Sequence, residues 1–284
     1  MAEGRIEILR TVAELHHRLE DWRAAGDSIG LVPTMGALHE GHFSLIERST
    51  QENMRCVATL FVNPKQFGEG EDFDQYPRDV EGDAERLEGR GTDLLFLPDM
   101  DEIYPPGFTT YVSLPGIGDR LEGEFRPGFF TGVATVVTKL LLQAQPHKAY
   151  FGEKDYQQLC IIRRLVVDLN IPVEIQNCPT IREPDGLALS SRNAYLGEKE
   201  RAAAPQLHAG LMRLGERLKA GEGAKPAIAA ETAALLAAGF GRIDYLALCS
   251  EGDLEPLEKP NGPARLLAAA WLGGTRLIDN ISVG

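Results

Sequence analysis

Short β-branched apolar runs alternate with longer stretches of helical period through the first two thirds of this chain. This alternation constrains the fold more than any other feature. Strands joined by helix-length connections pair in parallel, with the connecting helices packed on the sheet faces. The pattern predicts strands over residues 29–32, 56–62, 93–97, 148–151 and 173–175, with helices following from about His42, Asp79, Gly132 and Asp155. Together these make a doubly wound, Rossmann-like parallel sheet of the α/β class. The segment 132–145, GVATVVTKLLLQAQ, is apolar almost all round apart from Lys139. It reads as a core helix in preference to a helix at a subunit contact.

The pattern changes after Asn193. An Ala-rich helical stretch, 198–238, is followed by strand-like runs at 243–248, 264–271 and 275–278. This predicts a second, smaller α+β domain, giving an organisation of 1–180 and 181–284. Residues 221–225 read as an exposed turn between helices of that domain. The length of 284 residues and the composition, 43% hydrophobic and 25% charged, suit packed globular domains.

Charge narrows the range of partners. A formal net charge of -13 argues against a broad nucleic-acid or anionic-membrane surface. An anionic substrate therefore needs a local basic pocket. Cys56, Cys160, Cys178 and Cys249 are far apart with no C-x-x-C pair, so neither a zinc site nor a disulfide framework is expected. A reducing, cytoplasmic setting fits. The opening MAEGRIEILRTVAEL carries Glu3, Glu7 and Glu14 and lacks the apolar run of a signal peptide. No run approaches the ~18 apolar residues of a membrane span.

Four segments carry chemistry. The first, PTMGALHEGH (33–42), follows a predicted strand and opens a predicted helix. In open α/β sheets, ligands bind beyond the carboxyl ends of strands, where a helix start offers free N–H groups to phosphate. His39 and His42, three apart, would share one face of the first turn and could donate to a single phosphate. Gly36 permits a tight turn, and Gly41 lets a flat base approach the backbone. In isolation the spacing is equally that of a helix start with two surface histidines. The second segment, FGEKDYQQ (151–158), again follows a strand and should reach the same sheet edge. Lys154 could meet a triphosphate as a point charge, and Gln158 would face the crevice one turn on. Asp155 either caps the helix or holds a ribose hydroxyl.

The third segment, 179–193, is too polar for a core, and its Ser190, Ser191 and Arg192 offer two hydroxyls and a guanidinium fork to phosphate oxygens. Taken alone, S-S-R is more often solvated surface. The fourth, FVNPKQF (61–67), ends a strand with two amides, and Tyr76-Pro77-Arg78 follows nearby. Asn63 and Gln66 could orient a hydroxy acid without adding charge, while Asn63 could also serve Asn-Pro turn chemistry.

With PTMGALHEGH, FVNPKQF, YFGEKDYQQL, LSSRN and the closing LGGTRLIDNI in one order, the sequence resembles the pantothenate synthetase family over almost its whole length. That family is a branch of the nucleotidyltransferases related to class I aminoacyl-tRNA synthetases. The resemblance implies an ATP-dependent ligase that joins pantoate to β-alanine through a pantoyl-adenylate, with Mg²⁺ accompanying ATP. It implies that Met35, Gly36, Ala37, Leu38, His39, Glu40, Gly41 and His42 line the ATP site. Gly152, Glu153, Lys154, Asp155, Ile181, Leu189, Ser190, Ser191 and Arg192 would complete it, the smaller domain covering the nucleotide. The catalytic groups implied are His42, as proton donor, with His39, Lys154, Ser190, Ser191 and Arg192. Gln66 and Gln158 would bind pantoate, joined by Asn63 and Tyr76. A cytoplasmic homodimer is expected.

Three positions depart from the family pattern. Leu189 stands where Met is expected, and Phe129 stands where the family commonly places His. Gly82-Asp83 replaces an expected Asp pair, which leaves the Mg²⁺ ligands unassigned. Two rival functions remain at this level: an adenylyltransferase acting on a phosphorylated acceptor, and a regulatory nucleotide-binding protein. The neutral amides Asn63, Gln66 and Gln158 disfavour the first, and the intact His39, His42, Lys154 and Arg192 disfavour the second.

Overall fold

The computed structural model describes residues 6–68 and 70–283. The chain divides into two compact units, the first comprising 1–153 and 161–179 and the second 154–160 and 180–284.

The first unit is built on a six-stranded parallel sheet of order β1-β4-β3-β2-β5-β6. In chain order its elements are β1 (Glu7–Leu9), α1 (Val12–Ala24), β2 (Ile29–Thr34), α2 (Glu40–Glu52), β3 (Arg55–Leu60), α3 (Val80–Glu88), β4 (Leu94–Phe96), α4 (Met100–Ile103), α5 (Glu122–Phe125), α6 (Phe129–Ala144), β5 (Lys148–Gly152) and β6 (Glu174–Cys178). The helix α7 (Tyr156–Asp168) begins among residues of the second unit and ends in the first. The expected parallel α/β sheet is present, with one strand more than predicted. The strand β1 extends the sheet beyond β4, and the capping-box helix α1 follows it.

Winding reverses direction between β2 and β5, which makes their carboxyl ends the sheet's switch point. Successive residues of β2 face β3 and β5 in turn. The Thr34 carbonyl accepts from Phe61 N–H on the β3 side, so Pro33 faces β5, where it has no N–H to give. Pairing of β2 with β5 covers only Gly30 and Leu31, whereas pairing with β3 continues to Thr34. Proline thus ends the ladder on one side and parts the strands where a ligand crevice is needed. At the other end of β2, a Cβ on Gly30 would lie 2.3 Å from Ser49 Oγ, so only glycine lets α2 pack this closely on the sheet. The core beneath gathers Val32, Phe43, Ile46, Ala58, Leu87, Leu95 and Tyr150.

The helix α6 begins at Phe129, three residues earlier than its apolar pattern suggested, because Gly128 turns the chain through a left-handed conformation just before it. Eleven of its sixteen residues are buried, with Leu142 its prominently exposed residue, consistent with a core helix. β6 is shifted toward the C-terminus from its expected 173–175. Its sequence EIQNC is a half-exposed polar edge, which hydrophobic patterning does not mark.

The second unit carries a three-stranded antiparallel sheet, β7 (Arg242–Ser250), β8 (Ala264–Leu272) and β9 (Thr275–Val283), together with α8 (Glu198–Ala203), α9 (Gln206–Lys219) and α10 (Ala224–Ala237). Leu207, Leu211, Leu214 and Leu218, on one stripe of α9, pack with Leu246, Leu266 and Leu277 from the sheet. The expected turn before α10 is shorter than 221–225. Ala224 is buried and opens the helix, and Gly221 supplies the positive φ that ends α9. β9 runs to Val283, well past the predicted 278, and so brings Asp279 and Asn280 into the sheet.

Candidate active site

The turn from β2 into α2 is held open by a clamp. Gly36 and Ala37 both have positive φ, +89° and +52°, the latter unfavourable for a residue with a side chain. What holds them is Asp83, fully buried on the first turn of α3. Its Oδ2 accepts from Ala37 N–H at 2.8 Å and its Oδ1 from Leu38 N–H at 3.1 Å. Arg86 stands 3.5 Å from the same carboxylate and donates to the Leu38 carbonyl at 3.1 Å. The sequence marked Asp83 only as half of a missing acidic pair. Its role emerges from contacts across the fold.

The helix α2 starts at Glu40, not at His42, because His39 is its N-cap. His39 Nδ1 accepts from Gly41 N–H at 3.1 Å, and His42 Nδ1 accepts from His39 N–H at 3.3 Å, a reciprocal capping box made by two imidazoles. The rings lie 4.2 Å apart. A nitrogen that accepts an amide proton carries none of its own, so the ring proton of each neutral imidazole lies on Nε2. Both rings thereby become Nε2–H donors anchored at a helix start, where the dipole favours an anion. Glu40, on the outer side of this turn, pairs with Arg90 at 2.9 Å.

The second strand end gathers the amides. Asn63 is buried and caps the single 3₁₀ turn Pro64–Gln66 by accepting from Lys65 N–H. Its Nδ2 donates to Gln66 Oε1 at 3.0 Å and to the Gly132 carbonyl at 3.1 Å, while its Oδ1 accepts from the Tyr104 hydroxyl at 2.8 Å. Burial raises the Tyr104 pKa far above its ordinary value, which keeps that hydroxyl a donor. Asn63 is thus engaged on every side and acts on Gln66. Gln66 Nε2 reaches Met35 Sδ at 2.9 Å, which ties this segment to the histidine-bearing turn. Arg126 donates to the Gln66 carbonyl at 3.2 Å, grips Glu71 with two further bonds and lies 3.8 Å over the Phe129 ring. The departure at position 129 therefore supplies a flat face for Arg126. Tyr76 is buried edge-on to Phe67, at a ring separation of 6.0 Å. Neither Tyr104 nor Arg126 stood out in the sequence as part of this cluster.

At β5 the chain leaves the sheet through Gly152 and Glu153, and Asn177 of β6 donates to Glu153 Oε1. β5 runs parallel to β2, so this exit lies on the same sheet edge as the histidine turn, as expected.

The remaining predicted groups belong to the second unit. Lys154 and Asp155 sit in the 3₁₀ turn Glu153–Asp155, with Lys154 Nζ 3.9 Å from the Asp155 carboxylate. Gln158 follows, half-buried, on α7. The polar segment after Pro179 doubles back on itself. Arg182 bridges to Ala188, and Leu189 N–H donates to the Ile181 carbonyl at 3.0 Å. This reversal presents Ser190 as the cap of a 3₁₀ turn, Ser191–Tyr195, that carries Ser191 and Arg192. Asn193 Nδ2 returns to the Ala188 carbonyl and fastens the turn.

Among the described residues, no cluster of three or more His, Cys, Asp or Glu side chains could hold a metal ion. The Asp83 carboxylate spends both oxygens on backbone amides. These side chains do not form a protein cage for Mg²⁺.

A parallel sheet with a parted switch point, and a helix start there that offers two imidazole donors, defines the class of α/β proteins that receive an anionic ligand at the carboxyl edge. Comparison with known proteins narrows the class. A family model described as Pantoate-beta-alanine ligase matches residues 7–282. The pantothenate synthetase of Caulobacter vibrioides is 54% identical over 280 residues, 98% of each chain. That of Cereibacter sphaeroides is 52% identical over 276 residues, 97% of this chain and 99% of the other. The crystal structure of the pantothenate synthetase from Thermus thermophilus matches with a TM-score of 0.91 at 48% identity, covering 98% of this chain and 99% of that one. The pantoate-beta-alanine ligase of Francisella tularensis, crystallised with beta-gamma ATP and beta-alanine, matches with a TM-score of 0.83 at 35% identity over 97% of each chain. This chain belongs to the pantoate-beta-alanine ligase family.

Proposed function

We propose that the protein condenses pantoate with β-alanine at the expense of ATP, by way of a pantoyl-adenylate. A pantoate carboxylate oxygen attacks the α-phosphorus of ATP and pyrophosphate leaves in line. The β-alanine amine then attacks the pantoyl carbonyl carbon, sheds a proton, and AMP departs with the oxygen that bridged the two. The observation that carries this reading is the pair of imidazoles at the start of α2 whose Nδ1 atoms accept backbone amides, which assigns the donor proton of each ring to Nε2. Donors held in advance stabilise charge that develops on the α-phosphate without reorganising during the reaction.

Met35 through Leu38 and Gly41 form the turn along which the nucleotide lies, and Gly152 and Glu153 flank it on the same sheet edge. Lys154, Asp155, Ile181, Leu189, Ser190, Ser191 and Arg192, carried by the second unit, are assigned to the same nucleotide. Their chemistry and the family likeness support this. Gln66 is assigned to pantoate, oriented by Asn63, with Tyr76 behind it and Gln158 as a further amide. Mg²⁺ is expected to arrive as part of the Mg·ATP substrate, held by phosphate oxygens and water, as its reluctance to shed water favours. A cytosolic homodimer completes the proposal. Its support is the family likeness, and sedimentation tests the assembly.

The test is pyrophosphate release from ATP and pantoate without β-alanine. The native protein should release it. His39→Ala and His42→Ala should each lose about 2–4 kcal/mol of transition-state stabilisation, the range for a preorganised donor. A variant that keeps native adenylation with an intact fold removes that histidine from the mechanism.

A further inference from the structure

The closing LIDNI run carries a role beyond completing the smaller sheet. Asn280 on β9 is buried, yet its side chain is aimed at the residue assigned to the triphosphate. Asn280 Nδ2 donates to the Lys154 carbonyl at 2.9 Å, and its Oδ1 accepts from Arg265 at 2.6 Å. Arg265 in turn lies 3.6 Å over the Tyr156 ring and pairs with Glu251, whose carbonyl accepts from the Tyr156 hydroxyl. Tyr156, two residues beyond Lys154, is thus packed against the same arginine that holds Asn280. On the neighbouring position Asp279 accepts from Asn280 N–H at 2.7 Å and grips Arg182 with two bonds at 2.6 and 2.8 Å. Arg182 opens the reversal that ends in Ser190–Arg192. All of these groups lie in the second unit.

We infer that Asn280 is a positioning residue for the adenylation step: through the Lys154 carbonyl it fixes where the Lys154 ammonium is presented. This rests on the assignment of Lys154 to phosphate. The flexible stem of a lysine does not set its own position, so the backbone beneath it must be held. An amide side chain suits the task because it accepts from the arginine with one atom and donates to the carbonyl with the other.

Asn280→Asp separates the two contacts. It keeps the oxygen that faces Arg265 and removes the amide that donates to the Lys154 carbonyl. Pyrophosphate release should show kcat/KM for ATP lowered by about tenfold to a hundredfold, the scale of a small misplacement, with the pantoate KM little changed. On a Lys154→Ala background the same substitution should cost less than about threefold, because its target is already gone. Thermal unfolding controls for structure, and Asn280→Ser, which also loses the carbonyl contact without adding charge, replaces the Asp variant if that one does not fold. Native kinetics in Asn280→Asp, or a full loss repeated on Lys154→Ala, overturns the inference. If Lys154→Ala itself uses ATP normally, the phosphate assignment fails instead.

Discussion

Asp83→Asn probes the clamp that shapes the histidine turn. In the native protein two charge-assisted hydrogen bonds hold Ala37 and Leu38, each worth about 1.5–3 kcal/mol. Against them stands the left-handed conformation of Ala37, which costs about 1–2 kcal/mol. The clamp exceeds the strain, so the turn stays formed. An asparagine keeps one acceptor at neutral strength and sets its NH₂ against the other amide proton. The expected loss is roughly 2–4 kcal/mol of stability, from one charge-assisted bond and one buried donor left unsatisfied. Pyrophosphate release should fall further than global stability explains, because His39 follows Leu38 directly. Ala37→Gly removes the strain and should return about 1 kcal/mol to the Asp83→Asn protein, along with part of its adenylation. Urea unfolding and the half-reaction, run on both single variants and the double, give the comparison. Native stability and adenylation in Asp83→Asn, or no recovery on adding Ala37→Gly, would refute the reasoning.

Tyr104→Phe removes the hydroxyl that holds Asn63, so it should cost ~1 kcal/mol of stability and raise the pantoate KM several-fold while sparing the ATP KM; initial rates with each substrate varied would detect a contrary pattern. Glu52 is held at about 2, below its ordinary 4.5, by Arg48 first and then by Lys148. A depressed carboxyl contributes stability above the unfolded value that is lost as pH falls from about 4.5 through about 2. The gap in unfolding free energy between native protein and Glu52→Gln should therefore close across that window, and a gap independent of pH would disprove the linkage.

What the sequence made legible was whatever local period and chain order encode. The parallel strands, the buried helix α6 and the polar segments at strand ends are all visible in spacing and composition. β1 was not, because three residues, one of them the charged Glu7, carry too little pattern, and β6 hid as a polar edge. Histidine is an unusual helix cap, so the sequence pattern points to a start near His42, two residues past the actual start at Glu40, even though the histidines themselves stand out. The supporting groups were the least legible. Asp83 lies 46 residues from the amide it holds and Asn280 lies 126 residues from Lys154, separations at which spacing says nothing about contact. The sequence offers Asn63 both as a substrate amide and as a turn former. The structure shows the turn and adds the contact to Gln66, a consequence of the Gly132 backbone and Tyr104 closing around it.

The central claim is that the carboxylate is activated by adenylation, and oxygen tracing tests it most directly. Pantoate labelled with ¹⁸O in its carboxyl group would be turned over with ATP and β-alanine, and the products examined by mass spectrometry. A carboxylate oxygen that attacks the α-phosphorus stays on phosphorus when the amine displaces the adenylate. The account predicts one labelled oxygen in AMP and none in pyrophosphate. Unlabelled AMP, or ADP and labelled phosphate in its place, would contradict it and point to an acyl-phosphate route.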